Sequence, residues 1–219
     1  MKIVFIGPPG VGKGSQAKRL SADTLRPHIS MGDMLRLQKM KKIQGGKSLG
    51  SFIDCGDLVP CEVVIKFLKD RIFKEDCRNG YYLDGFPRTL KQANVLDSIL
   101  AEQGDFLDFA VEFYIPGTGN DLFERIMSRL SCSQCSETYS MKNRPPLREG
   151  FCDLCDAPLL RREDDTLSSF RKRMDIFKKW ATPLLDYYKE KGILLRFNAL
   201  NSIDETYADL LKGLGVQKE

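Results

Sequence analysis

The stretch Gly7-Pro8-Pro9-Gly10-Val11-Gly12-Lys13-Gly14-Ser15 directly follows a short apolar run, Ile3-Val4-Phe5-Ile6. An apolar strand feeding a glycine-rich turn and then a lysine is the pattern of a phosphate-binding loop. Glycines let successive backbone N–H groups point inward without Cβ clashes. A helix starting near Lys13 adds the positive end of its dipole, where anions bind readily. The lysine supplies a mobile cation for terminal phosphates. One position departs from the common form: Gly14 stands where Ser or Thr usually ligates Mg²⁺. Carboxylates acting through water are therefore expected to hold the metal, which suits an ion that keeps several waters.

Strand-like runs recur at 2–6, 27–30, 81–84, 109–115 and 193–197, with amphipathic helical text at 14–23, 33–42, 61–75, 89–103, 119–130 and 166–191. Strands separated by helices imply βαβ units, hence an α/β chain with a five-stranded parallel sheet and helices on both faces. Ligands of such sheets bind at the carboxyl ends of the strands, where the loop at 7–15 and Asp84 fall. Two segments break the rhythm. Residues 30–60, with Gly45-Gly46 and Gly50, read as a small helical insertion. Residues 131–165 carry Pro145-Pro146, four cysteines and many charges, and read as a mini-domain unable to build an apolar core.

The second segment contains Cys132-Ser133-Gln134-Cys135 and, sixteen residues on, Cys152-Asp153-Leu154-Cys155. Two Cys-x-x-Cys knuckles at this spacing close a tetrahedral Cys₄ zinc site. Four thiolates leave no open coordination position, so the expected role is structural, with metal binding supplying folding free energy. The rival readings are a redox Cys-x-x-Cys and a zinc ribbon that reads nucleic acid. The net charge of +4, lowered to +2 by four thiolates and one Zn²⁺, is too weak to favour the ribbon. Cys55, Cys61 and Cys77 are scattered, which fits a reducing compartment better than a disulfide framework. With no apolar run approaching the ~18 residues of a membrane span, and too short an apolar N-terminus for a secretory signal, a cytoplasmic protein is expected.

The loop at 7–15, the run Tyr82-Leu83-Asp84-Gly85-Phe86-Pro87-Arg88 and the four-cysteine insertion together resemble the adenylate kinase family, in its long-lid, zinc-bearing form. The resemblance extends to Gly32-Asp33-Met34-Leu35-Arg36, Gly56-Asp57-Leu58-Val59-Pro60, Arg125, Arg129, Asp164-Asp165 and Arg171-Lys172-Arg173. It implies the reaction Mg·ATP + AMP ⇌ 2 ADP. It also implies a phosphate-loop core at 1–29, 60–127 and 166–219, a monophosphate-binding lobe at 30–59 and a lid at 128–165.

The same resemblance implies roles. Gly10, Val11, Gly12, Lys13, Gly14 and Ser15 grip the donor phosphates together with Arg129, while Arg125, Thr138, Tyr139 and Asn201 line the donor adenine. Arg36 and Arg88 fork onto the AMP phosphate, since Arg binds phosphate bidentately. Arg162 and Arg173 clamp the transferring group when the lid shuts. Met31, Asp57, Leu58, Val59, Gly85, Phe86, Pro87 and Gln92 surround the acceptor nucleotide. Asp33 and Asp84 hold the waters of Mg²⁺. Asp164 and Asp165 are expected to pair across the lid–core seam, and His28, with no carboxylate or Cys companion in its neighbourhood, to be structural. ATP, AMP and ADP are the expected partners, with no nucleic acid or membrane, and a monomer is expected.

Four departures from the family pattern stand out: Met31 for a threonine near the acceptor base, Cys61 for an acidic residue, Leu130 for a second arginine and Ser136 for a glycine after the first Cys pair. Met31 keeps open a kinase of the same family with another base preference. A phosphate-loop switch or nucleic-acid binder is the rival from another class.

Overall fold

A computed structural model describes residues 1–43, 47–116, 120–141 and 144–216. Gly45-Gly46 and the anticipated helix start at Gly119 lie outside the described residues. The first half runs β1 (Lys2–Ile6), α1 (Lys13–Thr24), β2 (His28–Ser30), α2 (Met31–Leu37), α3 (Leu49–Cys55), α4 (Cys61–Ile72), β3 (Tyr81–Asp84) and α5 (Leu90–Ala101). The second runs β4 (Phe109–Tyr114), α6 (Asn120–Met127), β5 (Arg129–Cys132), β6 (Thr138–Ser140), β7 (Leu159–Leu160), α7 (Leu167–Glu190), β8 (Leu194–Asn198) and α8 (Ile203–Leu214).

Five strands form a parallel sheet in the order β2-β3-β1-β4-β8. Side chains alternate faces along a strand, and here both faces are dry. Val4, Ile6, Leu83 and Ala110 pack under α4, α5 and α7 through Leu68, Leu96 and Leu184. Ile3, Phe5, Tyr82 and Val111 pack under α1, α6 and α8 through Leu20, Ile126 and Leu210. That is why these strands read as unbroken apolar runs rather than alternating ones. The register sets Asp84 beside both Phe5 and Ser30, so the ends of β1, β2 and β3 open on one crevice.

Elsewhere the helical text at 33–42 gives way at Leu37. The helix begins earlier than anticipated because Ser30 Oγ accepts from the Asp33 N–H at 3.3 Å and caps it. The helix anticipated to reach Leu130 ends at Met127, because 129–132 pairs antiparallel with 138–140 and 159–160. Non-local pairing overrides helical pattern there. The last helix, α8, was not anticipated, although Ser202 and Glu205 form a capping box readable in sequence.

Candidate active site

β1 turns sharply into the loop at Gly7, whose φ of 151° and missing Cβ matter equally: an added Cβ would lie 2.4 Å from the Phe113 carbonyl oxygen. Gly14 opens α1 against Asp84, with an added Cβ 3.0 Å from Asp84 Oδ2. A hydroxyl-bearing residue at 14 would press on that carboxylate, so the loss of the usual hydroxyl and the closeness of Asp84 belong together. Lys13 Nζ donates to the carbonyls of Gly7 and Pro8 at 2.9 and 3.0 Å, which holds the ammonium at the loop mouth.

Asp84 ends β3. Burial pushes its carboxyl up, but the facing His28 and the charges of Lys13 and Arg88 outweigh it and hold the carboxyl at about 2. His28 Nε2 lies 3.5 Å from Asp84 Oδ2. The expectation that His28 lacks a carboxylate companion is therefore corrected. Strand pairing supplied the companion, since His28–Ser30 lies alongside Tyr82–Asp84.

Cations crowd the same space. Burial, eased by Asp84 but aggravated by Arg88 and Arg129, brings Lys13 down to about 8. Burial and the neighbouring Arg173 bring Arg88 down to about 10, and burial with Arg129 does the same to Arg162. Few contacts within the protein offset this. Arg88 Nε donates to Gly85 O at 2.9 Å, and its backbone N–H is fixed by Gln92 Oε1 at 2.7 Å. Arg162 Nε donates to Ser131 Oγ at 2.8 Å. Arg125 donates to Ala199 O at 3.2 Å. Arg36 is better satisfied: it pairs with Asp33 at 2.5 Å and Asp164 at 3.4 Å, and its pKa is raised because these two carboxylates together outweigh burial.

The seam between the four-cysteine segment and the rest is ionic. Asp165 accepts both Nε and Nη2 of Arg129 and lies 3.8 Å from Arg173. Asp164 takes Arg173 as well as Arg36. Arg162 reaches Asp33 at 3.3 Å. Arg36, Arg88, Arg125, Arg129, Arg162 and Arg173, with Asp33, Asp84, the loop at 10–15, Met31, Asp57-Leu58-Val59, Gly85, Pro87, Gln92, Thr138, Tyr139 and Asn201, line one cavity of about 1310 Å³. Pockets for one drug-sized ligand run to roughly 300–1,000 Å³, so the cleft has room for more than one. Phe86 departs from the expected set: it is buried in the core and does not line the cavity.

The four cysteine sulfurs all lie within 4.8 Å of one another. Cys132–Cys155 and Cys135–Cys152 are 3.4 and 3.6 Å apart. Four Zn–S bonds of about 2.3 Å make a tetrahedron with edges of about 3.8 Å, so the set fits zinc. The residue after each knuckle, Ser136 or Asp156, sits at φ 58° or 59°. The left-handed position where the family has glycine is thus kept with a serine, the strain that this departure implies.

Sequence reasoning missed Lys18, Glu137 and Arg144, which also line the cavity. It missed too Lys39, which pairs with Asp54 at 2.9 Å and Glu163 at 2.5 Å. Charges on a helix or a turn read as solvated, and no local signal marks the pairing of Lys18 with Glu137 or of Lys39 with Glu163, each more than a hundred residues away.

A family model described as adenylate kinase matches residues 5–193. The chain is 41% identical to the adenylate kinase of Caldicellulosiruptor bescii over 217 residues, covering 99% of this chain and all of that one. It is 41% identical to that of Clostridium botulinum and 40% identical to that of Clostridium beijerinckii. Each match runs over 218 residues and covers both chains in full.

Proposed function

The chain belongs to the adenylate kinase family, and from that premise we propose how its cleft is divided to move a phosphoryl group from ATP to AMP. The observation that carries this reading is the set of buried cations, Lys13, Arg88 and Arg162, whose charged forms the protein alone disfavours. Such a cluster is matched by a polyanion, and two nucleotides meeting at their phosphates are one. Phosphoryl transfer asks mainly for positioning and charge neutralisation.

The loop amides of residues 10–15, Lys13 and Arg129 take the donor phosphates, with Arg125, Thr138, Tyr139 and Asn201 on the donor base. Arg36 and Arg88 take the AMP phosphate, and Gln92, Met31, Gly85, Pro87 and 57–59 the rest of that nucleotide. Arg162 and Arg173 lie between and bear on the group in transit. No general base is required, since the AMP phosphate is already an anion. Asp84, kept ionised, suits water-mediated Mg²⁺. Asp33 is a poorer candidate while it faces Arg36 and Arg162. When bound, Mg²⁺ neutralises phosphate charge. Residues 30–59 form the acceptor lobe and 128–165 the lid, whose four cysteines hold structural zinc. Closure of both lobes expels water and so prevents futile hydrolysis. No helix among the described residues is long and apolar enough to cross a membrane. A cytoplasmic monomer whose partners are nucleotides, not nucleic acid, completes the proposal.

A second reading of the acceptor rests on Met31, which is buried and brings a thioether where the family has a hydroxyl. The test is ADP formation from Mg·ATP with AMP, CMP, UMP and GMP offered in turn. Strong preference for AMP supports the proposal, broad acceptance moves base selection to Met31, and no transfer to any monophosphate overturns it. Lys13→Ala is expected to cut turnover by about a thousandfold or more with the fold intact; near-normal turnover would overturn the loop assignment.

A further inference from the structure

Lys18 lies on α1, three and four residues beyond Ser15 and Gly14, the spacing of one helix face. Its Nζ donates to the Ser136 carbonyl at 2.6 Å and pairs with Glu137 at 3.1 Å. The pair is largely shielded, with side chains 23% and 11% exposed. The other carboxylate oxygen of Glu137 accepts from Arg144 at 2.5 Å. The Glu137 carbonyl accepts from the Cys132 N–H at 2.8 Å. Ser136 and Glu137 therefore close the first Cys-x-x-Cys knuckle and lead into β6, which begins at Thr138.

We propose that Lys18 is a positioning residue for the donor nucleotide: it seats the first cysteine knuckle of the lid on the helix that starts at the phosphate loop. Lys13 and Lys18 belong to one helix, and Thr138-Tyr139 follow the knuckle without a break. One contact therefore fixes the base-side wall of the cavity against its phosphate-side wall. Lid opening has to break it. The inference rests on the reading that the lid side of the cavity takes ATP.

Removing Lys18 leaves Glu137 paired with Arg144, so Lys18→Ala strands no buried carboxylate and is expected to fold. In steady-state assays of the zinc-loaded enzyme, this variant is expected to raise the KM for ATP about five-fold. The KM for AMP stays within two-fold. The kcat is not lowered, because product release waits on opening. Lys18→Arg restores the ATP KM. Glu137→Gln moves the same constant in the same direction, and the effect of the double variant Lys18→Ala/Glu137→Gln is smaller than the sum of the two single effects.

An unchanged ATP KM in both single variants overturns the proposal. Additive effects, with amide-exchange protection of the first knuckle unchanged in Lys18→Ala, overturn it differently, by showing that Lys18 acts on the nucleotide and not through the knuckle. A rise confined to the AMP KM overturns instead the assignment of ATP to the lid side, while the contact between Lys18 and Glu137 stands.

Discussion

Two insertions flank the cleft, and they are held in opposite ways. The insertion at 30–59 is an outgrowth of the main core: Met31, Leu35, Leu49, Ile53 and Val59 pack in one continuous cluster with Ile29, Leu83 and Phe86 of the sheet region. Among the described residues, the four-cysteine segment has its own small cluster of Cys132, Tyr139, Cys152 and Leu159, separate from the two large ones. One insertion thus draws on the apolar burial of the whole protein. The other has an apolar cluster of four buried residues, a three-stranded sheet and a fence of ion pairs. Apolar burial ties a lobe's stability to the core, whereas a metal lets a lobe be stable yet separate. The second arrangement suits the lid role proposed for 128–165, which asks a segment to move as a rigid piece.

The largest test of this contrast is metal removal. Structural zinc in small domains contributes roughly 10 kcal/mol or more, far above what four buried residues supply. Chelation, or Cys152→Ser, is expected to abolish amide-exchange protection in 128–165 while protection in 30–59 and in β1, β3 and β4 persists. Loss of protection in both lobes together would show that the lid is not independent.

Next in size is the seam. Asp164 is almost wholly buried against Arg173 and also faces Arg36, both outside 128–165, and removing one partner of such a pair costs about 3–5 kcal/mol. Asp164→Asn is expected to lower stability toward the smaller figure, since Arg173 and Arg36 keep some access to water. The loss should appear as easier opening of 128–165 in exchange, with global unfolding less affected. A purely global loss would mean that the seam belongs to the core.

In the insertion at 30–59, Leu49 is fully buried. Leu49→Ala should cost about 3 kcal/mol. Here the contrast makes the opposite demand: the loss should register in global denaturant unfolding, because Leu49 shares its cluster with the sheet. A local loss confined to 30–59 would refute the continuity of that cluster.

How much of this was legible beforehand follows the range of the interactions. The phosphate loop, the Asp-Gly-Phe-Pro-Arg run and the cysteine knuckles are local, and each chemistry could be named from adjacent residues. The central strands β1, β3 and β4 were legible because a sheet buried on both faces writes itself as apolar runs. What failed was non-local. His28 faces Asp84 only because β2 pairs with β3. Arg129–Cys132 is a strand only because Thr138–Ser140 lies beside it. Lys18 meets Glu137 from 119 positions away. Phe86 failed for another reason: its motif marks a site, yet its ring is spent on the core. The capping box at Ser202 was legible and went unread.

The smallest expected effect, and the one that separates the shared core from both insertions, is acid. The Asp84 carboxyl is depressed to about 2 from the usual 3.8, chiefly by His28 and Lys13 acting against burial. A depressed carboxyl adds stability that is fully present above 3.8 and is lost as pH falls toward 2. That amounts to about 2 kcal/mol at ~1.4 kcal/mol per pH unit. Asp33 and Asp164 are lowered too, by Arg36 with Arg162 in one case and with Arg173 in the other, acting against burial. Acid also protonates the four thiolates and frees any metal they hold. Unfolding free energy of the protein alone therefore mixes core and lid. The informative quantity is the difference between the protein and Asp84→Asn, measured by denaturant melts at steps between pH 5 and 2.5, in which the lid's contribution cancels. That difference is expected to shrink steadily below pH 4. A difference that stays constant would mean that Asp84 is not held ionised by its neighbours, and that the cation cluster is balanced from elsewhere in the cleft.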